Sequence, residues 1–167
     1  MGWSESDLCG PEGEDWRVPV SELESRQLML AKALDNAGLE GALLHNPVDL
    51  YYFCGGRQDG AMYISAESKE IESVQYVRRS LKRAIFEAGG DNAIHEVVKF
   101  PRLSQFFETL KSRGIKEMPS MQLSSIPHSF ASKFQGSLSD FDGELKDCNK
   151  LVHLIREKKS IWEIEQM

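Results

Sequence analysis

Cysteine is scarce in this sequence, and no hydrophobic run is long enough to cross a membrane. The three cysteines, Cys9, Cys54 and Cys148, are widely spaced and form no C-x-x-C pair, which argues against a disulfide framework and a thiolate zinc site. No stretch approaches the ~20 apolar residues of a transmembrane helix, and the acidic start lacks the apolar core of a signal peptide. We therefore expect a reduced, cytoplasmic protein without a membrane partner.

Basic residues are also in the minority. The chain has 20 Lys and Arg against 26 Asp and Glu, a formal net charge of −6. Because nucleic-acid binding requires a concentrated positive field, we expect no nucleic-acid partner. The length of 167 residues suits a single domain, and 41% hydrophobic with 28% charged residues is ordinary for a globular fold.

Sequence motifs of catalysis are missing as well. The four histidines form neither H-x-H nor H-E-x-x-H, and there is no G-x-x-x-x-G-K-[ST] loop or G-x-S-x-G elbow. Asp140 and Asp142 would share one face of a strand and could hold a divalent cation. The surrounding Ser-Asp-Phe-Asp-Gly sequence fits a turn better. We therefore expect no catalytic residue and no metal ligand in this chain.

The first half of the sequence predicts a helix, a buried strand and a hairpin. Ser21 and Glu24 have the spacing of a capping box, and Gly38 is placed to end the helix that they begin. The apolar run 42–44 predicts a strand that closes at a turn. The next stretch, VDLYYFCGG, predicts a turn or one helical turn, and strands over 61–65 and 73–77 would pair as a hairpin.

The second half alternates between helix and strand patterns. The predicted helices cover 78–88, 103–110, 126–134 and a segment from 151 towards Lys159. Predicted strands cover 93–100 and a short stretch near 117–123, which Pro119 would either confine to a sheet edge or interrupt. Five or six strands with five helices predict a three-layer α/β/α domain with a mixed sheet.

The two ends of the chain differ from this middle part. Residues 1–18 are rich in Gly, Ser, Asp and Glu, and we expect a flexible acidic arm on which Trp3 and Trp16 are the groups able to dock. Near the other end, Ser160 and Glu163 have the spacing of a second capping box. Only seven residues follow Ser160, and an isolated helix of that length is marginal in water.

In their order and separation, these pieces resemble the amino-terminal domain of the creatinase, prolidase and Xaa-Pro aminopeptidase family, the pita-bread metallopeptidases. The resemblance covers about residues 20–167 and rests on two groups of residues. They are Arg26, Gly38-Leu39-Glu40-Gly41, Ala42 to Leu44, Asn46-Pro47, Tyr51-Tyr52 and Gly55 in the first, and Arg156, Lys159, Ser160, Glu163 and Ile164 in the second.

The resemblance implies a mixed sheet of ribonuclease-H-like topology over residues 19–157, with 158–167 as the truncated start of a catalytic domain. The family's five metal ligands and its dinuclear Mn, Co or Zn site belong to that missing domain. This chain is then expected to bind no cofactor and to meet a peptide substrate only through the missing part.

The resemblance also implies that the domain forms a homo-oligomer and controls access to the active site. We expect the loop from Tyr51 to Asp59 to contact a partner subunit, through Tyr52, Arg57 and Asp59, with Arg57 and Asp59 as its more exposed members. The alternative is that Tyr51, Tyr52 and Phe53 pack under the sheet edge.

Two other functions stay open at this point. One is a protein-binding module from a catalytically inactive pita-bread relative. The other is a small ribonuclease-H-like nuclease that uses Asp140 and Asp142 to hold its metal ions.

Overall fold

A mixed five-stranded sheet forms the centre of the computed structural model, which describes residues 2–136 and 141–167. The strands are β1 (Gly41–Leu44), β2 (Gly60–Ser65), β3 (Val74–Val77), β4 (Glu96–Lys99) and β5 (Ser120–Met121). Their order across the sheet is β4-β3-β2-β1-β5. β2 pairs antiparallel with β1 and β3, while β4 and β5 add in parallel at the two edges. The predicted hairpin and the edge position of the strand after Pro119 are confirmed.

Helices flank the sheet in the predicted alternation. They are α1 (Val20–Asn36), α2 (Pro47–Cys54), α3 (Leu81–Glu87), α4 (Leu103–Ser112), α5 (His128–Gly136), α6 (Asn149–Glu157) and α7 (Ile161–Glu165). Short 3₁₀ helices cover Glu5–Leu8, Glu67–Lys69 and Gly90–Asn92. None of the helices in the described residues is long and apolar enough to span a membrane.

Two apolar cores lie on opposite faces of the sheet. Alternate side chains of β1 divide between them, because successive strand residues point to opposite faces. Ala42 and Leu44 pack with α1, α2 and α6, whereas Leu43 packs with Phe106 and Leu110 of α4 on the other side. The α/β/α layering with a mixed sheet confirms the predicted fold class.

The first helix begins earlier than the sequence predicted. Helix α1 starts at Val20, with Pro19 in the N-cap position and no side-chain cap. The carbonyl oxygen of Pro19 accepts from the backbone N–H groups of Glu22 at 3.0 Å and Leu23 at 3.1 Å. Ser21 therefore lies inside the first turn, and the predicted capping box at Ser21 is wrong. The end of the helix is as predicted, with Gly38 at a φ of +68°.

The VDLYYFCGG segment forms a longer helix than predicted. Asn46 caps α2 by accepting from the Val48 N–H at 2.9 Å, and Pro47 occupies the first turn, where its missing N–H costs nothing. Gly55 ends the helix in the left-handed conformation, at a φ of +83°. The eight-residue helix arises because both of its ends are capped.

Two further elements are shorter than the apolar pattern suggested. Helix α3 begins at Leu81 because the Arg78 N–H still extends the hairpin, donating to the Asp59 carbonyl oxygen at 2.8 Å. Within α3, Ala84 is buried, whereas Ile85 is 39% exposed. Strand β4 pairs only over Glu96–Lys99 rather than over 93–100, and a 3₁₀ helix at Gly90–Asn92 ends three residues before it.

The N-terminal arm lies against α3. The Trp3 ring is 5.6 Å from the Phe86 ring, and the Arg17 guanidinium stacks 4.1 Å from the same ring. Arg17 also donates to the Phe86 carbonyl oxygen at 3.1 Å. These contacts place the arm beside the C-terminal end of α2, where it forms one wall of a surface cleft.

Candidate functional site

A buried arginine joins the first helix to the last one. Arg26 of α1 is 2% exposed, and its guanidinium donates to the Tyr52 carbonyl oxygen at 2.9 Å and to the Glu22 carboxylate at 3.1 Å. A third contact runs to the Glu163 carboxylate of α7, at 3.3 Å. Three elements that are far apart in the sequence therefore meet at one cation.

Aromatic rings enclose the same guanidinium. It stacks 4.1 Å from the Tyr52 ring and lies 5.5 Å from the Trp162 ring. Burying an arginine is costly unless it is paired and hydrogen-bonded. Arg26 meets both requirements, so its contacts fix α7 against α1 and α2.

Helix α7 is held by the capping box that the sequence predicted. The Ser160 hydroxyl oxygen accepts from the Glu163 N–H at 3.1 Å, and the Glu163 carboxylate accepts from the Ser160 N–H at 2.8 Å. The second carboxylate oxygen of Glu163 faces Arg26. One side chain thus caps the helix and docks it, which explains how a five-residue helix can be ordered.

A second ion pair joins α2 to α6, the helix that precedes α7. Asp49 of α2 is 1% exposed, and its carboxylate accepts from the Arg156 guanidinium of α6 at 3.1 Å. Lys159 donates to the carbonyl oxygen of Arg156. Asp49 also lies in the first turn of α2, where the helix dipole favours a negative charge.

The loop after α2 depends on two glycines. A Cβ at Gly55 would lie 2.5 Å from the Glu87 carbonyl oxygen, and a Cβ at Gly56 would overlap the Glu87 carboxylate. That carboxylate is buried and accepts from Arg83 at 2.8 Å and from Gln58 at 3.1 Å. The glycines therefore allow α2 and α3 to approach closely.

The predicted subunit-contact loop has both buried and exposed members. Tyr52 is 7% exposed, and burial raises the pKa of its phenol. Arg57 and Asp59 are exposed, with Asp59 3.6 Å from the Arg78 guanidinium. The exposure expected for Arg57 and Asp59 is confirmed, and packing inside the domain holds for Tyr52 and Phe53. The predicted contact with a partner subunit stays a prediction.

Two cavities adjoin at this loop. The first, named the basic cleft, has a volume of about 540 Å³ and is lined by Arg17, Arg57, Arg83 and Glu87 among others. The second, the aromatic groove, has a volume of about 300 Å³ and is lined by Tyr52, Trp162 and Met167 among others. Trp16 and Tyr51 line both.

A buried polar chain lies beneath this surface. His95 is 4% exposed, and its Nδ1 lies 3.1 Å from the Gln27 amide nitrogen, which also donates to the Phe53 carbonyl oxygen at 2.8 Å. Its Nε2 lies 3.2 Å from the Gln75 amide oxygen. These partners assign the proton to Nε2, and burial lowers the pKa of His95 to about 4. The histidine is neutral and structural at neutral pH.

The nuclease hypothesis involved Asp140 and Asp142. Asp140 lies outside the described residues. Asp142 lines a cavity of only about 20 Å³ with Glu40 and Glu117. A hydrogen bond with Glu40 raises the pKa of Glu117. Within residues 2–136 and 141–167, no group of three or more His, Cys, Asp and Glu side chains has the arrangement of a metal site.

The two buried cysteines are also poorly suited to nucleophilic catalysis. Burial raises the pKa of the Cys54 thiol well above its usual value and raises that of Cys148 to about 12. A thiol that stays protonated at neutral pH is a weak nucleophile. Cys9 is exposed and unpaired with another cysteine.

Comparison with known proteins agrees with this architecture. The family model of the creatinase/prolidase N-terminal domain matches residues 26–158, from the buried arginine to the start of the junction with α7. The chain therefore belongs to the creatinase/prolidase N-terminal domain family. No curated protein sequence gave a significant match.

Solved structures with the same fold include whole peptidases and single domains. An Xaa-Pro dipeptidase from Bacillus anthracis is 22% identical, with a TM-score of 0.69 over 86% of this chain and 38% of its own. The prolidase from Pyrococcus horikoshii OT3 is 21% identical, with a TM-score of 0.62 over 84% of this chain and 37% of its own. This chain thus spans well under half of those two proteins.

A third structure is the N-terminal domain of the cytoplasmic peptidase PepQ from Mycobacterium tuberculosis H37Rv. It is 17% identical, with a TM-score of 0.60 over 79% of this chain and 98% of its own. Nearly all of that single domain therefore aligns with this chain.

Proposed function

We propose that this chain is the non-catalytic N-terminal domain of a proline-specific metallopeptidase, an Xaa-Pro aminopeptidase or dipeptidase of the cytoplasm. The observation that carries the proposal is the clamp on α7. Arg26 binds Glu22 and the Tyr52 carbonyl oxygen, and the same guanidinium holds Glu163 and Trp162 in place. This is the point from which a catalytic domain would continue. A rigid junction lets one domain position the next.

The metal chemistry lies elsewhere in this proposal. The parent enzyme would bind a dinuclear Mn, Co or Zn centre through ligands outside residues 1–167. The described residues do not fit such a centre, because they contain no suitable cluster of His, Cys, Asp and Glu. This domain would therefore meet the peptide substrate only through the catalytic part.

The domain would also take part in a homo-oligomer, most simply a dimer. The support is the end of the predicted loop, where Arg57 and Asp59 are both exposed. A loop in that position could cover the rim of a neighbouring active site and limit access to it. Arg57→Glu should weaken association in sedimentation velocity, whereas the same change at Arg102, an exposed residue at the start of α4, should not.

The division of labour can be tested on the purified chain. We expect no hydrolysis of Xaa-Pro dipeptides or of peptides with proline in the second position, with Mn²⁺, Co²⁺ or Zn²⁺ supplied. Metal-dependent turnover by this chain, lost on chelation and restored by metal, would contradict the proposal.

A protein-binding module is the second candidate. It is favoured by one observation, the pair of adjoining cavities that share Trp16 and Tyr51. The sequence that continues the protein after residue 167 distinguishes the two functions, because a binding module from an inactive relative would lack the metal ligands.

A further inference from the structure

Two neighbouring parallel strands end where the chain leaves the sheet towards opposite faces. Val77 and Lys99, the last residues of β3 and β4, are paired in the ladder. After β3 the chain enters α3, which packs on α2, since a Cβ at Gly55 would lie 2.5 Å from the Glu87 carbonyl oxygen. After β4 it enters α4, whose Phe106 belongs to the core on the other face. In open α/β sheets, ligands bind at such a point, outside the carboxyl ends of the strands.

Basic side chains gather at this end of the two strands. Arg78 and Arg79 follow β3 directly, Lys82 lies in the first turn of α3, and Lys99 ends β4. All four residues are exposed, and we call them the switch-point patch. Because paired strands lie roughly 4.8 Å apart, side chains of this length can reach a common anion from both strands.

The positive charges of the patch are not used by the folded chain. The guanidinium of Arg78 stacks 4.1 Å from the Phe100 ring, which fixes its plane. The Asp59 carboxylate lies 3.6 Å from it, beyond hydrogen-bond distance. The other three members of the patch make no hydrogen bond or ion pair within the described residues. Their N–H donors are therefore available for charge-assisted hydrogen bonds to an anion.

The charge distribution favours a compact anion over an extended one. Residues 73–86 contain four basic residues and no acidic one, whereas the rest of the chain contains 16 basic and 26 acidic residues. A nucleic acid or an anionic membrane would extend beyond the patch over an acidic protein and be repelled by it. A compact polyanion places several negative charges on the patch alone.

We propose that the switch-point patch binds the polyphosphate group of a small ligand, of the kind that a nucleoside triphosphate carries. The two arginines present planar pairs of donors to phosphoryl oxygens, and the two lysines supply mobile point charges. The inference does not rest on the proposed function, because it involves neither peptide hydrolysis nor a subunit contact.

Isothermal titration calorimetry on the whole chain tests the site. The probe is inorganic tripolyphosphate at ~150 mM salt, where interactions between distant surface charges are screened. We expect saturable one-to-one binding. Inorganic phosphate should bind at least about tenfold more weakly, because it carries fewer charges to the patch. A single-stranded oligonucleotide and vesicles of phosphatidylserine present phosphoryl groups from other sources, and neither should bind under the same conditions.

Matched variants locate the binding. Arg79→Gln and Lys99→Gln should each weaken the binding of tripolyphosphate about fivefold, the loss of one exposed charge contact. Lys32→Gln and Lys150→Gln, at exposed positions on α1 and α6, should leave it unchanged. Thermal unfolding of each variant verifies that it is folded.

Three results would overturn the proposal. They are the absence of saturable tripolyphosphate binding, unchanged binding by both Arg79→Gln and Lys99→Gln, and tighter binding of the oligonucleotide or the vesicles than of tripolyphosphate. The last result would assign the patch to an extended polyanion instead. None of these results depends on the peptidase assay, so failure of either proposal leaves the other standing.

Discussion

The carboxylate of Glu163 lies 3.3 Å from the guanidinium of Arg26 and at the same time closes the capping box of α7. Arg26 is 2% exposed at its side chain and Glu163 is 14% exposed. The pair links the first helix of the domain to the last. Stability and the placement of α7 therefore depend on the same contact.

Removing the arginine should destabilise the domain strongly. Arg26→Met leaves Glu163 without its partner and removes the donor to the Tyr52 carbonyl oxygen, which should lower the free energy of unfolding by about 3 kcal/mol. Chemical denaturation measures the change. Arg102→Met, at an exposed position, should stay within ~0.5 kcal/mol of the parent. A loss under ~1 kcal/mol for Arg26→Met would show that the clamp contributes little.

Replacing Asp49 and replacing Arg156 should lower the free energy of unfolding by different amounts. The side chain of Asp49 is 1% exposed, whereas that of Arg156 is 34% exposed. Arg156→Met leaves a buried carboxylate unpaired and should cost about 3 kcal/mol, but Asp49→Asn leaves a partly hydrated guanidinium and should cost about 1 kcal/mol. Equal costs, measured by denaturation at neutral pH, would contradict this view of the junction.

Two glycines with nearly the same positive φ allow the cost of backbone strain to be separated from the cost of a steric clash. Gly55 has a φ of +83° and its Cβ would meet the Glu87 carbonyl oxygen, while Gly114 has a φ of +86° and open space around it. Alanine at Gly114 should cost about 1 kcal/mol, the penalty of the left-handed conformation. Alanine at Gly55 should cost about 1–3 kcal/mol more, because it also displaces α3. If the two costs are equal, the close approach of α2 and α3 is not what requires glycine.

The buried histidine should make stability depend on pH. The pKa of His95 is about 4 in the folded chain, against an ordinary value of 6.5. Between these two values the unfolded chain binds the extra proton, so stability is complete above pH 6.5 and falls as the pH drops towards 4. The full effect is roughly 3 kcal/mol.

A substitution isolates this contribution. His95→Gln removes the titrating group, and its free energy of unfolding should depend less on pH between 6.5 and 4 than that of the parent chain. His153→Gln, at an exposed position, should keep the parent's dependence. Identical pH profiles for the parent chain and His95→Gln would show that His95 is not the group responsible.

Local sequence patterns predict the sheet and most helices, but they do not predict the contact that holds α7 against α1. Leu23, Leu30 and Leu34 recur at helical spacing and are all buried, so periodicity alone places α1. The capping box at Ser160 is likewise local. The length of α2 escaped prediction because it depends on the caps at Asn46 and Gly55 acting together.

The candidate site could be predicted only in part. Arg57 and Asp59 were predicted as exposed members of the loop, and both are exposed. No sequence pattern pairs Arg26 with Glu163, because their contact arises from the path of the whole chain. The aromatic groove escaped for the same reason, since Trp16 and Trp162 come from opposite ends of the sequence and meet only after folding.

The coding sequence after codon 167 provides the most direct test of the peptidase proposal. We expect an open reading frame that encodes two Asp, one His and two Glu at the spacing of a pita-bread metal site, with α7 as the start of that domain. A stop codon, or a continuation without those ligands, would contradict the peptidase proposal and leave the protein-binding module in its place.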